Sequence, residues 1–135
     1  DLEVDILART LWGEARNQGN EGMEAVANVV LNRVRYAQEK NGFWWGDDII
    51  QVCQKAYQFS CWNSSDPNSR KARAVDTRDL YFVTALRIAR RAVIDALSDN
   101  TNGATHYHTT AIKPYWAKGV TPCARIGDHV FYRMV

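Results

Sequence analysis

The strongest constraint on the fold is a helical spacing of apolar residues at the start of the chain. Val4, Leu7 and Leu11 recur at intervals of three and four residues, which predicts one buried face of an α-helix over residues 2–16. The next step of this spacing falls on Glu14. An ionisable carboxyl group therefore stands at the end of an apolar stripe, and that position requires an explanation.

A second helix is predicted to begin near Glu21. The preceding Gly19-Asn20 is typical of a helix end followed by a new N-cap region. The apolar stripe of this helix consists of Met23, Val26, Ala27, Val30 and Val34. These positions share one helical face, which we expect to contribute to the core.

Two further helices are predicted. The first begins at Asp47 or Asp48 and continues through Ile49, Ile50 and Val52. Asp79 is expected to cap the second, which extends to about Ser98 and is closed by Asn102-Gly103. The expected inward residues are Val83, Leu86, Val93 and Leu97, and the expected solvent-facing residues are Arg87, Arg91 and Asp95.

The rest of the chain has a different pattern. The stretch "NSSDPNSRKAR" at 63–73 is polar and rich in turn residues, so we expect a surface loop. "ATHYHTT" at 104–110 and "HVFYRMV" at 129–135 alternate and favour strands, with Gly119, Pro122 and Gly127 between them. The expected fold class is α+β, a mainly helical single domain over residues 1–135 with a small C-terminal antiparallel sheet.

Composition excludes several classes of protein. With 46% hydrophobic and 24% charged residues among 135, the chain matches a soluble globular domain. A net charge of +2 gives no basis for a nucleic-acid partner, and the basic "RIARR" at 87–91 falls on a solvated helix face. No apolar run approaches the ~18 residues that a membrane span requires. The chain begins at Asp1 without methionine, so we expect a trimmed or processed product.

Cys53, Cys61 and Cys123 are too few for a disulfide framework, and at most one pair can form. We expect all three to be reduced or incidental to function. None stands beside a histidine in a spacing typical of a catalytic thiol.

Glu14 has two interpretations. A carboxyl group among apolar side chains loses solvation when it ionises, so its pKa should rise, as a general acid near neutral pH requires. Alternatively, the glutamate ends a helix and forms an ion pair with Arg9, Arg16 or Arg33. The pattern of residues 2–16 alone does not decide between them.

Aromatic residues are the next candidates for a site. Tyr57, Phe59 and Trp62 stand in "YQFSCWN" beside polar residues, Trp44-Trp45 forms a pair, and further aromatics follow. These are Tyr107, Tyr115 and Trp116. Flat rings with polar neighbours suit the faces of sugars, although core packing accounts for most aromatic residues in any domain.

The histidines raise a third possibility. His106 and His108 are two residues apart, so on a strand they point the same way. With His129 or Cys123 they would make a zinc site, but no second spaced pair of ligands supports one. Packing and hydrogen bonding in a cleft are the alternative roles.

Five stretches, in order and over nearly the whole chain, resemble the SleB-type cell-wall hydrolases, the spore cortex-lytic enzyme family that includes phage endolysins. They are "ARTLWGEAR" at 8–16, "EGMEAVANVVLNRV" at 21–34, "YQFSCWN" at 57–63, "ATHYH" at 104–108 and "RIGDHVFYR" at 125–133. Five ordered stretches are far more specific than any one motif.

The resemblance implies a lysozyme- or lytic-transglycosylase-like catalytic domain that cleaves peptidoglycan between N-acetylmuramic acid and N-acetylglucosamine. It also implies that Glu14, the glutamate of the "GEAR" stretch, is the catalytic acid. The family commonly continues with a glycine and a second acidic residue, where this chain has Asn17 and Gln18. A mechanism with two carboxylates therefore lacks its expected partner here, because Glu21 and Glu24 lie beyond the helix break.

We therefore favour a lytic transglycosylase, in which Glu14 acts first as acid and then as base, over hydrolysis of the same bond. Substrate-binding roles are expected for Gln58, Ser60, Trp62, His106, Tyr107 and His108. No metal or other cofactor is expected, and the partner is the peptidoglycan glycan strand, cleaved by a monomer. The site of action is the bacterial cell wall, reached by export, in the spore cortex or as a released phage endolysin. A zinc-dependent peptidoglycan amidase and a non-catalytic glycan-binding module are the alternatives.

Overall fold

The computed structural model describes all 135 residues and has five α-helices followed by a three-stranded sheet. The helices are α1 (Leu2–Ala15), α2 (Gly19–Glu39), α3 (Ile49–Gln54), α4 (Pro67–Ala74) and α5 (Leu80–Val93). The strands are β1 (His106–Thr109), β2 (Ala124–Ile126) and β3 (His129–Tyr132). Short 3₁₀ turns cover Arg16–Gln18, Ser60–Trp62 and Tyr115–Ala117. The predicted α+β class, mainly helical with a small C-terminal sheet, is confirmed.

Helix α1 lies at the centre of the helical part and contacts all four other helices. The side chain of Asp1 caps it by accepting a hydrogen bond from the backbone N–H of Val4. Leu7 and Leu11 are fully buried, whereas Val4 is only half-buried. The apolar stripe predicted for this helix is therefore its core-facing side, and Glu14 lies in the last turn of that side.

The predicted break after α1 is confirmed, although α2 begins at Gly19 rather than near Glu21. Gly19 has φ +74°, a left-handed conformation that favours glycine, and it follows the 3₁₀ turn of Arg16–Gln18. The predicted stripe of α2 is buried throughout. Asp48 caps α3 as predicted, since its carboxylate accepts a hydrogen bond from the backbone N–H of Gln51.

The prediction of a loop over 63–73 is wrong for most of its length, because α4 occupies Pro67–Ala74. Asp66 caps this helix through the backbone N–H of Asn68, and Pro67 stands at its first position. Proline is favoured there because the missing N–H would have no partner within the helix. The Asp-Pro pair was the available signal, and the polar composition of the stretch concealed it.

Helix α5 begins after Asp79 as predicted but ends at Val93, short of Ser98. Its buried residues are Phe82, Ala85, Ile88, Ala89 and Ala92. Leu86 and Val93 are half-buried and pack against the main core as predicted, whereas Val83 is half-buried without joining it, so the most deeply buried face lies about one position from the predicted one. Leu97 is buried as predicted but follows the helix, and Asn102-Gly103 forms a later turn.

The sheet is antiparallel, as predicted, with strand order β1-β3-β2. Tyr107 pairs with Phe131 and His108 with Val130, so alternate residues of β1 face opposite sides. The inner face packs on α2 through Phe131, which clusters with Ala25 and Val29. Strand β2 was not predicted separately.

The main core is a cluster of 26 buried residues in the helical part, whereas the cluster beneath the sheet has 4. None of the helices has both the length and the hydropathy to span a bilayer. Cys53 and Cys61 are buried and Cys123 is half-buried, and all three are unpaired.

Candidate active site

Glu14 is positioned by the last turn of α1, where that helix meets the inner face of β1. It forms no ion pair with the three arginines that its ion-pair interpretation requires. Arg9 pairs with Asp5 at 3.0 Å, and Arg16 donates to the carbonyl of Trp12 and to Asn68. Arg33 donates to the carbonyl of Thr105 and to Gln58. The position of Glu14 is therefore not explained by any of these ion pairs.

Three groups donate hydrogen bonds to the Glu14 carboxylate. The hydroxyl of Tyr107 approaches Oε1 at 2.8 Å, while Oε2 has longer contacts with the backbone N–H of Cys61 at 3.4 Å and the hydroxyl of Ser60 at 3.5 Å. Gly13 allows the Cys61 segment to come this close, because a Cβ there would lie 2.5 Å from the Cys61 Cβ. The carboxyl group is therefore held from both the helical part and the sheet.

Burial raises the pKa of Glu14 above 4.5, its ordinary value, and the bonds from Tyr107, Cys61 and Ser60 offset only part of that effect. Burial and the nearby Glu14 raise the pKa of Tyr107 well above its ordinary range, so Tyr107 remains a neutral hydrogen-bond donor. The surroundings thus favour a protonated carboxyl group at Glu14. Such a group can donate a proton to an oxygen atom of a bound molecule.

Glu14 lines two cavities, one on each side. The first, which we call the aromatic cleft, has a volume of about 530 Å³. Its walls include Trp44, Tyr57, Phe59, Tyr107 and Trp116, together with Gln58, His106, His108 and Ile112. The second, the polar cleft, measures about 350 Å³ and includes Asn17, Gln18, Asn68, Thr109 and His129. Glu14 is the only acidic residue lining either cleft.

Most of the residues predicted to bind substrate come together around Glu14. Gln58, His106, Tyr107 and His108 line the aromatic cleft, and Ser60 contacts Glu14 directly. His106 and His108 both pack against Trp116, at ring-centroid distances of 5.5 and 5.7 Å, so they do share one side of β1. Their roles in binding remain predictions.

Trp62 is the exception among these residues. It lines neither cleft, its ring lies 5.8 Å from the guanidinium of Arg73, and its indole N–H donates to the Thr10 hydroxyl at 2.9 Å. Its half-buried position ties the Ser60–Trp62 turn to α1. A direct contact between Trp62 and substrate therefore has no support in this arrangement.

Arg33 is a cleft residue that sequence reasoning did not assign to the site. Only 5% of it is exposed, it has no carboxylate partner, and burial lowers its pKa to about 10. Burial and this positive charge lower the pKa of His106 to about 4, so the imidazole is neutral near pH 7. The available signal was the one used for Glu14, a charged residue within an apolar helical stripe, here between Val30 and Val34.

The residues proposed as zinc ligands do not converge. Since Thr109 pairs with His129 and His108 with Val130, His129 lies on the inner face of the sheet and His106 and His108 on the outer face. No three His, Cys, Asp or Glu side chains are grouped so that they could hold a metal ion. The zinc amidase alternative therefore has no ligand set here.

Comparison with known proteins gives consistent results. The profile of the cell wall hydrolase family matches residues 17–132. The chain is 31% identical over 97% of its length to a spore cortex-lytic enzyme of Halalkalibacterium halodurans, and 29% identical over 96% to that of Bacillus subtilis. It spans about a third of the length of these two relatives, 34% and 37%.

Two solved structures share the fold at 21% identity. The catalytic domain of the germination-specific lytic transglycosylase SleB from Bacillus anthracis aligns with a TM-score of 0.72, over 97% of this chain and 93% of that one. The catalytic domain of Bacillus cereus SleB aligns with a TM-score of 0.73, over 97% and 89%. The family match begins three residues after Glu14, so any role for that residue rests on its surroundings.

Proposed function

The chain belongs to the cell wall hydrolase family, and on that premise we propose that it cleaves peptidoglycan glycan strands between N-acetylmuramic acid and N-acetylglucosamine as a lytic transglycosylase. The observation that carries the proposal is the position of Glu14 between two clefts, with a raised pKa and no second carboxylate beside it. A sugar chain that crosses both clefts presents one glycosidic oxygen to this group.

The reaction requires a single acid that later becomes a base. Glu14 donates its proton to the glycosidic oxygen, the bond from C1 of muramic acid to that oxygen breaks, and N-acetylglucosamine leaves with the proton. The 6-hydroxyl of muramic acid then attacks C1 and returns its proton to Glu14, which closes a 1,6-anhydro ring. The hydrogen bond from Tyr107 stabilises the carboxylate between these two steps.

The absence of a second acid from both clefts favours this route over hydrolysis. Ordinary glycosidases use two carboxyl groups about 5 to 9.5 Å apart. Glu21 is exposed, Glu24 lies 3.9 Å from Arg91, and neither lines a cleft. The attacking group must therefore be activated by Glu14 itself, and the 6-hydroxyl of muramic acid belongs to the same sugar as C1, so no separately bound water is required.

The relatives support the same activity at the level of their names, since they are spore cortex-lytic enzymes and a lytic transglycosylase. Their place of action suggests the bacterial cell wall for this chain as well. We further propose that the chain is a single catalytic domain and acts as a monomer, because one copy suffices to build the carboxyl group, its three hydrogen-bond donors and both clefts.

The decisive experiment is mass analysis of purified peptidoglycan after digestion. We expect products that end in 1,6-anhydromuramic acid, at an undiminished rate in EDTA. New reducing ends in their place would indicate hydrolysis, freed peptides would indicate an amidase, and binding without products would indicate a non-catalytic module. Glu24→Gln is the matched control for Glu14→Gln, because it removes a nearby carboxylate outside both clefts.

A further inference from the structure

The largest cavity of the molecule lies outside the site described above, on the outer face of the sheet. We call it the basic cleft. Its volume is about 710 Å³, and Val130 and Tyr132 of β3 form its floor. Lys113, Tyr115 and Lys118 line one side, and Arg125 of β2 lines the other. We propose that this cleft binds the carboxylates of the peptide stem on muramic acid, so that the chain prefers stem-bearing glycan strands.

The first argument is charge. Lys113, Lys118 and Arg125 line the basic cleft, and no aspartate or glutamate does. The four ion pairs of the structure involve other arginines, so these three cations have no carboxylate partner within 4.0 Å. The sequence between Asn100 and Gly127 contains no acidic residue at all. Uncompensated positive charge in a concave site attracts anionic ligands.

The second argument is continuity with the aromatic cleft. His108, Ile112 and Pro114 line both cavities, so a ligand can extend from one to the other. His108, Val130 and Arg125 are paired neighbours across the three strands and share the outer face. Two strand spacings separate His108 from Arg125, or about 10 Å. About three extended peptide residues span that distance, which a stem of a few residues can supply.

The third argument is the mixed chemistry of the walls. Ile112 and Tyr115 are 56% and 90% exposed, and the floor is formed by Val130 and Tyr132. A peptide stem offers both methyl groups for these surfaces and carboxylates for the cations. A polyphosphate polymer of the cell wall has the charge but lacks the apolar side chains. The inference rests on the proposed function, because it names a further part of the same substrate.

The test compares two substrates, glycan strands that carry their peptide stems and strands from which an amidase has removed them. We expect the wild-type protein to cleave stem-bearing strands faster by roughly tenfold, given two stem carboxylates in exposed charge pairs with these cations. The variant Lys113→Glu/Lys118→Glu/Arg125→Glu should lose that preference and retain the wild-type rate on stem-free strands. The preference should also shrink as salt increases.

The matched control carries the same change of charge elsewhere. Lys71→Glu/Arg87→Glu/Arg90→Glu alters three exposed cations that line none of the three clefts and form no ion pair. It should keep the preference. The proposal would be overturned if the basic-cleft variant lost cleavage rate equally on both substrates. It would also be overturned if that variant kept the wild-type preference for stem-bearing strands. A preference that follows polyphosphate attached to the strands and disappears when that polymer is removed would overturn it as well.

A binding measurement separates this proposal from the proposed function. The probes are a synthetic stem peptide with two free carboxylates and the same peptide with both carboxyl groups amidated. We expect only the first to shift the backbone amide resonances at positions 118 and 125, in wild type but not in the charge-reversed variant. If neither stem-bearing nor stem-free strands are cleaved but this binding persists, the proposed function fails and the basic cleft stands. If neither peptide shifts these resonances, the basic-cleft proposal fails.

Discussion

The helical part and the C-terminal part of the molecule contribute differently to the core and to the aromatic cleft. Residues 2–93 contain all five helices and nearly all of the main core, with Glu14 at its edge. Residues 104–135 contribute only Ala104 and Phe131 to the cluster of 4 beneath the sheet, yet they supply Tyr107, His106, His108 and Trp116 to the aromatic cleft. Stability is thus concentrated in one region, while most groups that would contact a ligand lie on strands and loops of the other.

The largest expected effect is a loss of activity on substitution of Glu14, which tests whether this residue at the edge of the core is catalytic. Glu14→Gln keeps the size of the side chain but cannot deliver a proton. Because general acid catalysis contributes about 10² to 10⁴-fold, activity on peptidoglycan should fall by at least that factor. Release of anhydro products per folded molecule is the measurement. If Glu14→Gln were fully active but less stable, Glu14 would belong to the fold and not to the reaction.

The helical part was also more predictable from the sequence than the contacts between the two parts. Helices α1 and α2 were predictable because apolar periodicity is a local property, and Glu14 was visible as a break in it. The hydrogen bond from Tyr107 joins residues 93 positions apart, and the Cys61 contact uses a backbone group. Neither leaves a local signal. The cations of the basic cleft are likewise irregularly spaced in sequence and meet only when the loop after β1 folds over the sheet.

The second prediction compares a core residue of the helical part with a wall residue of the C-terminal part. Leu11 is fully buried in α1, so Leu11→Ala should lower the free energy of unfolding by about 2 to 5 kcal/mol. Ile112 is 56% exposed, so Ile112→Ala should change it by less than about 0.5 kcal/mol. Urea unfolding measures both. A large loss in Ile112→Ala would show that the C-terminal region carries more of the stability than its small core suggests.

A smaller effect is expected where the two regions meet, at the hydrogen bond from Tyr107 to Glu14. Tyr107→Phe removes a donor to a charged group, a change worth about 1.5 to 3 kcal/mol, so the rate should fall by roughly 10- to 150-fold. The lost bond also lowered the pKa of Glu14, so the pH–activity profile should move to higher pH. Tyr81→Phe, which removes an exposed hydroxyl outside all three clefts, is the control. An unmoved profile would mean that Tyr107 serves packing alone.

The smallest expected effect is a pH dependence of stability that originates at this same junction. Burial raises the pKa of Glu14 in the folded protein above 4.5, its value in the unfolded chain. Below pH 4.5 both states are protonated, and the group contributes nothing. As pH rises further the unfolded state loses its proton first, so the unfolding free energy falls until the folded carboxyl group has also ionised. Glu14→Gln cannot titrate, so its stability relative to wild type should increase through this window and then become constant. Urea unfolding of both proteins from pH 4 to pH 8 measures the difference. If the unfolding free energies of the two proteins changed in parallel with pH, the Glu14 carboxyl group would be as well solvated in the folded protein as in the unfolded chain. The helical part would then hold Glu14 at its surface without favouring its protonated form.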